Sequence, residues 1–161
     1  MNSGASQRSS WIKDEAYGIV LEQADRPGAL LPILHALQDR FGWIHPSATA
    51  MIAKALNLSR AEVHGALTFY KDFRSTPPAR TVVRLCQAEA CQARGARELT
   101  KMAKVELGLA LGDADPNGTI ALEPIYCLGL CASGPAALVD GRPYARLTLD
   151  RLRAAVQGAE P

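Results

Sequence analysis

An α+β chain is predicted, with a bundle of short helices first and a small α/β layer domain after it. Three observations carry this. Apolar residues recur every three to four positions as far as about residue 70. "RSTPPAR", residues 74–80, then interrupts the pattern with Pro77-Pro78, a pair that cannot continue a helix and favours an extended link. Beyond it β-branched runs alternate with helical patterns, and all four cysteines of the chain fall there. The expected domains are residues 1–79 and 80–161.

In the first domain Leu30, Ile33, Leu34, Leu37 and Phe41 share one helical face. Pro46-Ser47 reads as the start of a second helix, with Ala48, Met51, Ile52, Ala55 and Leu56 on one side. Ser59-Arg60-Ala61-Glu62 has the form of a capping box. It opens a helix carrying Val63 and Leu67, extended to Phe69 and Tyr70. A weaker pattern spans 14–24. In the second domain "TVVRL", 81–85, is a strand that ends at Cys86. A helix covers about 94–108, with Leu99, Met102, Ala103 and Leu107 on one side. "GTIALEPIY", 118–126, is a second strand, and Pro124 places it at an edge or a bend. "AALVD" and "YARL" flank a short turn at Gly141-Arg142-Pro143. Thr148 caps a last helix, 149–157, with Asp150 in its first turn. The order reads β-α-β-β-α, a small open α/β layer fold.

Composition excludes several classes. Of 161 residues, 48% are hydrophobic and 21% charged, which supports a packed core rather than a disordered chain. Residues 1–79 carry 8 Lys and Arg against 7 Asp and Glu, and the remainder 10 against 9, so neither half is a basic nucleic-acid surface. No apolar run reaches membrane-spanning length, and "MNSGASQRSSWIKDEA" has no apolar targeting segment. The expected compartment is the cytoplasm, where clustered cysteines signal metal or redox chemistry more often than structural disulfides.

The cysteines fall in two pairs, C-x4-C (Cys86, Cys91) and C-x3-C (Cys127, Cys131). Each pair follows a predicted strand. Two loops at one end of a sheet bring four sulfurs together, and four thiolates suit zinc or an iron–sulfur cluster. Structural zinc pairs are usually C-x2-C, and both pairs here are wider. A [2Fe–2S] rhomb has two irons that each need two outer thiolates, which two separate pairs satisfy. Oxidised, it carries a formal charge of about −2. Ala88, Ala90, Gly129 and Gly134 are small enough to turn backbone N–H groups towards such an anion. Arg84, Arg94 and Arg97 help if they point inwards, and Glu89 opposes unless it faces solvent. On spacing alone three chemistries stay open: an iron–sulfur cluster, zinc, and a redox disulfide or free buried thiols.

"C-x4-C…C-L-G-x-C" in this element order resembles the thioredoxin-like [2Fe-2S] ferredoxin family. "FGWIHPSA", 41–48, and "VHGALTFYKDF", 63–73, are similar to stretches of the 24 kDa subunit of respiratory NADH:quinone oxidoreductase. The resemblance covers about residues 17–156. It implies a thioredoxin-like α/β domain whose Cys86, Cys91, Cys127 and Cys131 ligate one [2Fe-2S] cluster, with no catalytic residue in this chain. It also implies a partner subunit that holds FMN and binds NAD. Where the respiratory subunit has Gly-Thr-Ala between its first two cysteines, this chain has Gln87-Ala88-Glu89-Ala90. That insert and the short chain look more like the gamma subunit of soluble NAD-dependent formate dehydrogenase, which implies a larger molybdenum- and iron–sulfur-containing catalytic subunit. NADH:quinone oxidoreductases and NAD-reducing hydrogenases share the module and are the alternative parents. A free-standing ferredoxin and a zinc-stabilised interaction module are the other classes of function.

The helices at 48–56 and 60–67 mimic a helix-turn-helix, but the second offers Glu62 and His64 with only Arg60 at its start, a poor set for reading DNA. His35, His45 and His64 are dispersed and adjoin no cysteine. Trp43, Phe69 and Tyr70 read as core or interface anchors. Gly28, Gly42 and Gly65 form no phosphate-binding motif.

Overall fold

The computed structural model describes residues 10–158. Residues 1–9, on which most of the targeting-segment reading rests, and 159–161 lie outside the described residues. The chain divides into two compact units between Pro78 and Ala79.

Among the described residues the first unit has four helices: α1 (Lys13–Gln23), α2 (Leu30–Phe41), α3 (Ser47–Leu56) and α4 (Arg60–Phe69). Their apolar faces close over Val20, Ile33, Leu34, Leu37, Phe41, Ile44, Ile52 and Val63, all fully buried. Burying each of these side chains contributes about 1.5–3 kcal/mol. α2 ends at Gly42 in the left-handed region, φ 79°. α4 begins with the expected capping box: Ser59 Oγ accepts from the Glu62 N–H, and the Glu62 carboxylate accepts from the Ser59 N–H. Trp43 is a core anchor, packed with Trp11 and His45. Of the two roles expected for Phe69 and Tyr70, core or interface anchor, the core is not where they lie. They are 76% and 44% exposed, because α4 ends there and only Phe73, three residues on, turns inwards.

The second unit holds a four-stranded mixed sheet, β1 (Thr81–Cys86), β2 (Ile120–Ile125), β3 (Ala137–Val139) and β4 (Arg142–Tyr144), in the order β2-β1-β3-β4. A helical turn α5 (Glu89–Cys91) and the helices α6 (Arg97–Leu107) and α7 (Leu149–Val156) complete it. The order is β-α-β-β-β-α with α5 set aside: each of the four strand segments read from the sequence contributes to a strand, and the order β-α-β-β-α counted one too few. β1 and β2 run parallel, joined by α6, and the other pairs are antiparallel. Leu99, Ala103, Leu152 and Ala155 pack on Val83, Leu85, Leu122 and Val139. Met102 lies off this face and is 44% exposed.

Two further details correct the expectations. The hairpin turn is Asp140-Gly141, and Arg142 and Pro143 belong to β4. Asp140 and Gly141 have φ of 49° and 81°, the left-handed pair a two-residue hairpin turn requires. The helix expected from 94 starts at Arg97, because the chain bends at Arg94 and Gly95, where φ reaches 98° at the glycine. Pro124 and Pro143 sit on the two edge strands, where a missing N–H does least harm.

Candidate metal centre

Parallel pairing sets the site. In the β1–β2 ladder Cys86 stands opposite Ile125, so both strands end at the same level and their loops emerge side by side. The Cys86 N–H donates to Ala136 O at 3.0 Å and the Gln87 N–H to Ile125 O at 2.8 Å, which fixes the first loop to both neighbours. α5 then lifts Cys91 back towards Cys86. In the second loop Cys127 has φ 66° and Gly129 φ 74°. A non-glycine residue in this region is uncommon and marks a position held by its surroundings. Cys131 opens a short helical turn, Cys131–Ser133. That turn is tied to the start of α7's approach by Arg146 N–H to Ser133 O, 2.7 Å, and Leu147 N–H to Pro135 O, 3.0 Å.

The thiols gather as two contacting pairs. The Cys127 and Cys131 sulfurs are 3.7 Å apart. The Cys86 and Cys91 thiols are hydrogen-bonded to each other. A tetrahedral metal bound at about 2.3 Å holds two of its sulfurs about 3.8 Å apart, so the exposed pair already has the spacing of two thiolates on one metal. Cys86 and Cys91 are 1% and 2% exposed, beside Ala96 and Ala136 and partly buried Ile125, Leu128 and Leu130. Cys127 is exposed and Cys131 half-buried. One pair therefore faces the interior and the other the surface. Among the described residues, no group of three or more His, Cys, Asp or Glu side chains is arranged to hold a single metal ion.

Backbone dipoles converge on the inner pair. The N–H groups of Ala88, Cys127 and Leu128 donate to the Cys86 sulfur, and that of Ala136 to Cys91. Burial pushes the Cys86 thiol up, but these N–H groups and the Cys91 thiol outweigh it and hold Cys86 below the usual thiol value. Cys91 goes the other way: burial raises it first, and the neighbouring Cys86 sulfur adds to the rise. Contact with Cys127 raises Cys131. The donor set, four sulfurs in two pairs with N–H groups aimed at them, fits a negatively charged two-metal cluster.

Of the residues expected to assist, Ala88 does supply an N–H and Glu89 does face solvent. Arg84 is engaged by Glu123 at 3.1 Å, and Arg97 Nε donates to Gln92 Oε1 at 2.6 Å. Arg94 Nε donates to Gly134 O at 3.3 Å, beside Cys91. Sequence reasoning missed the N–H groups of Cys127, Leu128 and Ala136, which carry no side-chain signal. It also missed the brace formed by Gln87 Nε2 and the buried Thr100 Oγ1, 3.0 Å apart. His35 packs on Phe73 and His45 on Trp11, both within the helical unit.

A small mixed sheet backed by helices thus carries two thiol pairs at the end of its parallel strands. The chain belongs to the thioredoxin-like [2Fe-2S] ferredoxin family, whose model matches residues 16–160. It is 31% identical over 134 residues to NADH-quinone oxidoreductase subunit 2 of Thermus thermophilus, covering 83% of this chain and 74% of that one. It is 28% identical over 123 residues to the NADP-reducing hydrogenase subunit HndA of Solidesulfovibrio fructosivorans, covering 76% and 72%. The fold is similar to part of a solved NAD+-reducing [NiFe]-hydrogenase in the air-oxidized state, with TM-score 0.68 and 27% identity. That match covers 86% of this chain and 24% of the hydrogenase chain. No helix among the described residues is long and apolar enough to cross a membrane.

Proposed function

We propose that this chain is a non-catalytic electron-transfer subunit that carries one [2Fe-2S] cluster on Cys86, Cys91, Cys127 and Cys131. The parent enzyme is a cytoplasmic multisubunit oxidoreductase of the NADH:quinone oxidoreductase or NAD-reducing hydrogenase type. FMN and NAD belong to a partner subunit. The observation that carries this reading is the side-by-side exit of the two cysteine loops from β1 and β2, which gathers two thiol pairs at one sheet end.

When bound, the cluster supplies one-electron chemistry. The chain's own residues hold it: the inner pair within an apolar shell, the N–H groups of Ala88, Cys127, Leu128 and Ala136 against its negative charge. The exposed pair brings the site to the surface, where a redox partner can approach.

Formate dehydrogenase is the second reading of the parent, supported by the insert Gln87-Ala88-Glu89-Ala90. The names of the relatives favour the first reading. The test of the ligands is the set of four Cys→Ser variants. Each replaces a thiolate with a harder hydroxyl ligand, and each is expected to lose or visibly shift the cluster spectrum. Any one that keeps full cluster content with an unchanged spectrum removes that residue from the ligand set. Assaying the enzyme that co-purifies with the chain for quinone, hydrogen and formate turnover distinguishes the parents.

A further inference from the structure

We propose that Cys127 and Cys131 form a thiol–disulfide site. In chain without bound metal, a low-molecular-weight disulfide such as oxidised glutathione converts this pair, and not Cys86 and Cys91, into an intraloop disulfide that bars metal loading until it is reduced. The bar to loading rests on the ligand assignment above; the formation of the disulfide does not.

Both pairs bring their thiols together, and access separates them. The Cys127 and Cys131 sulfurs already touch at 3.7 Å, and a disulfide of about 2.05 Å needs them about 1.6 Å closer. The left-handed residues Cys127 and Gly129 fold the loop back so that these side chains converge. Residues 126–130 have neither helix nor strand, so no ladder opposes a small adjustment. Thiol exchange needs the attacking sulfur and the leaving group in line, and therefore needs open approach. Cys127 offers it. Cys86 and Cys91 are enclosed, at 1% and 2% exposure.

The chemistry balances with one oxidant molecule. Cys127 thiolate attacks one sulfur of oxidised glutathione, forming a mixed disulfide and releasing one glutathione thiolate. Cys131 thiolate then attacks the Cys127 sulfur, forming the intraloop bond and releasing the second glutathione. The two protein thiols give up two protons and two electrons, and the oxidant becomes two reduced thiols. The surface half of the site is thereby held away from irreversible oxidation, while the buried half keeps its thiols.

Trypsin separates the pairs, because Cys86 and Cys91 lie in the peptide 85–94 and Cys127 and Cys131 in 105–146. Metal-free reduced chain is exposed to oxidised glutathione, then unfolded and alkylated. The expected product is peptide 105–146 two hydrogens lighter and unalkylated, with 85–94 doubly alkylated, and the surface pair oxidising at least about tenfold faster. Equal rates, or peptides joined by a cross-pair, would overturn the proposal. In Cys131→Ser, Cys127 should retain one glutathione, and its absence would refute the first step. Cobalt(II), added without thiol or sulfide, reads the loading. Reduced chain should give cobalt–thiolate absorbance, oxidised chain none, and dithiothreitol should restore it. Equal absorbance from oxidised chain removes the bar. No absorbance from reduced chain, with the peptide result intact, disproves the ligand assignment and leaves the disulfide standing.

Discussion

Cys86 stands opposite Ile125 in the parallel ladder, and Cys127 follows two residues later. This register brings the N–H of Cys127 onto the Cys86 sulfur, so one sheet pairing places both cysteine loops. Slipping the register by one residue would turn Cys86 to the opposite face of the sheet.

Gly134 is small because Cys91 is beside it. A Cβ there would lie 3.2 Å from the Cys91 sulfur and 3.3 Å from Arg94 Cδ. Gly134→Ala should lower stability by about 1–3 kcal/mol through overpacking and shift the visible spectrum of the loaded chain. Denaturant midpoints and spectra of the two proteins check it, and unchanged values for both would show that the thiol is free to move.

Two glycines should respond with opposite signs. Gly141 has φ 81° in the hairpin turn, and Gly141→Ala should destabilise by about 1 kcal/mol or more. Gly65 lies within α4 with open space around its missing Cβ, so Gly65→Ala should stabilise by about 0.5–1 kcal/mol. Urea unfolding of each, followed by circular dichroism, measures the difference.

Glu106 and Arg153 join α6 to α7 through two bonds of 2.7 Å. The hydrogen bond from Arg153 holds the Glu106 carboxyl below its usual range, although partial burial opposes this. A depressed carboxyl contributes stability above its unfolded value and loses it as the pH falls through the folded value. Glu106→Gln should therefore be modestly less stable than the parent at neutral pH. The two should converge under acid below the normal carboxylate range. A constant difference down to that acidity would assign the effect to packing.

Phe69 and Tyr70 form an exposed edge-to-face pair, with Tyr70 packed on Phe73. Exposed aromatics at this density suit an interface anchor. Replacing both with Ala in the full chain should weaken binding to the proposed flavoprotein subunit about thirtyfold, or about 2 kcal/mol, while cluster content is unchanged. A chain of residues 75–161 should likewise assemble the cluster and bind the partner poorly. Equal recovery of the flavoprotein by parent and altered chains would remove the docking role.

Much of this was legible in the sequence, for identifiable reasons. The capping box at Ser59–Glu62 and the cap at Thr148 are local, so their residues alone specify them. The cysteine loops were legible because a thiol is rare and its spacing carries geometry. The Asp140-Gly141 turn was legible and misplaced by one position, since Gly141-Arg142-Pro143 also contains strong turn formers. Met102 was misjudged, and Phe69 left between core and interface, for another reason. Periodicity marks apolar residues without saying which of them a neighbouring element covers. The N–H groups that converge on Cys86 come from two loops and follow only from the β1–β2 register.

The central claim is that four thiolates in two pairs hold one [2Fe-2S] cluster. The direct measurement is iron and acid-labile sulfide analysis of anaerobically purified chain, with paramagnetic resonance after reduction. The account predicts a red-brown protein with about two irons and two sulfides per chain and a one-electron signal on reduction. A colourless protein that holds one zinc per chain and stays silent on reduction would contradict it.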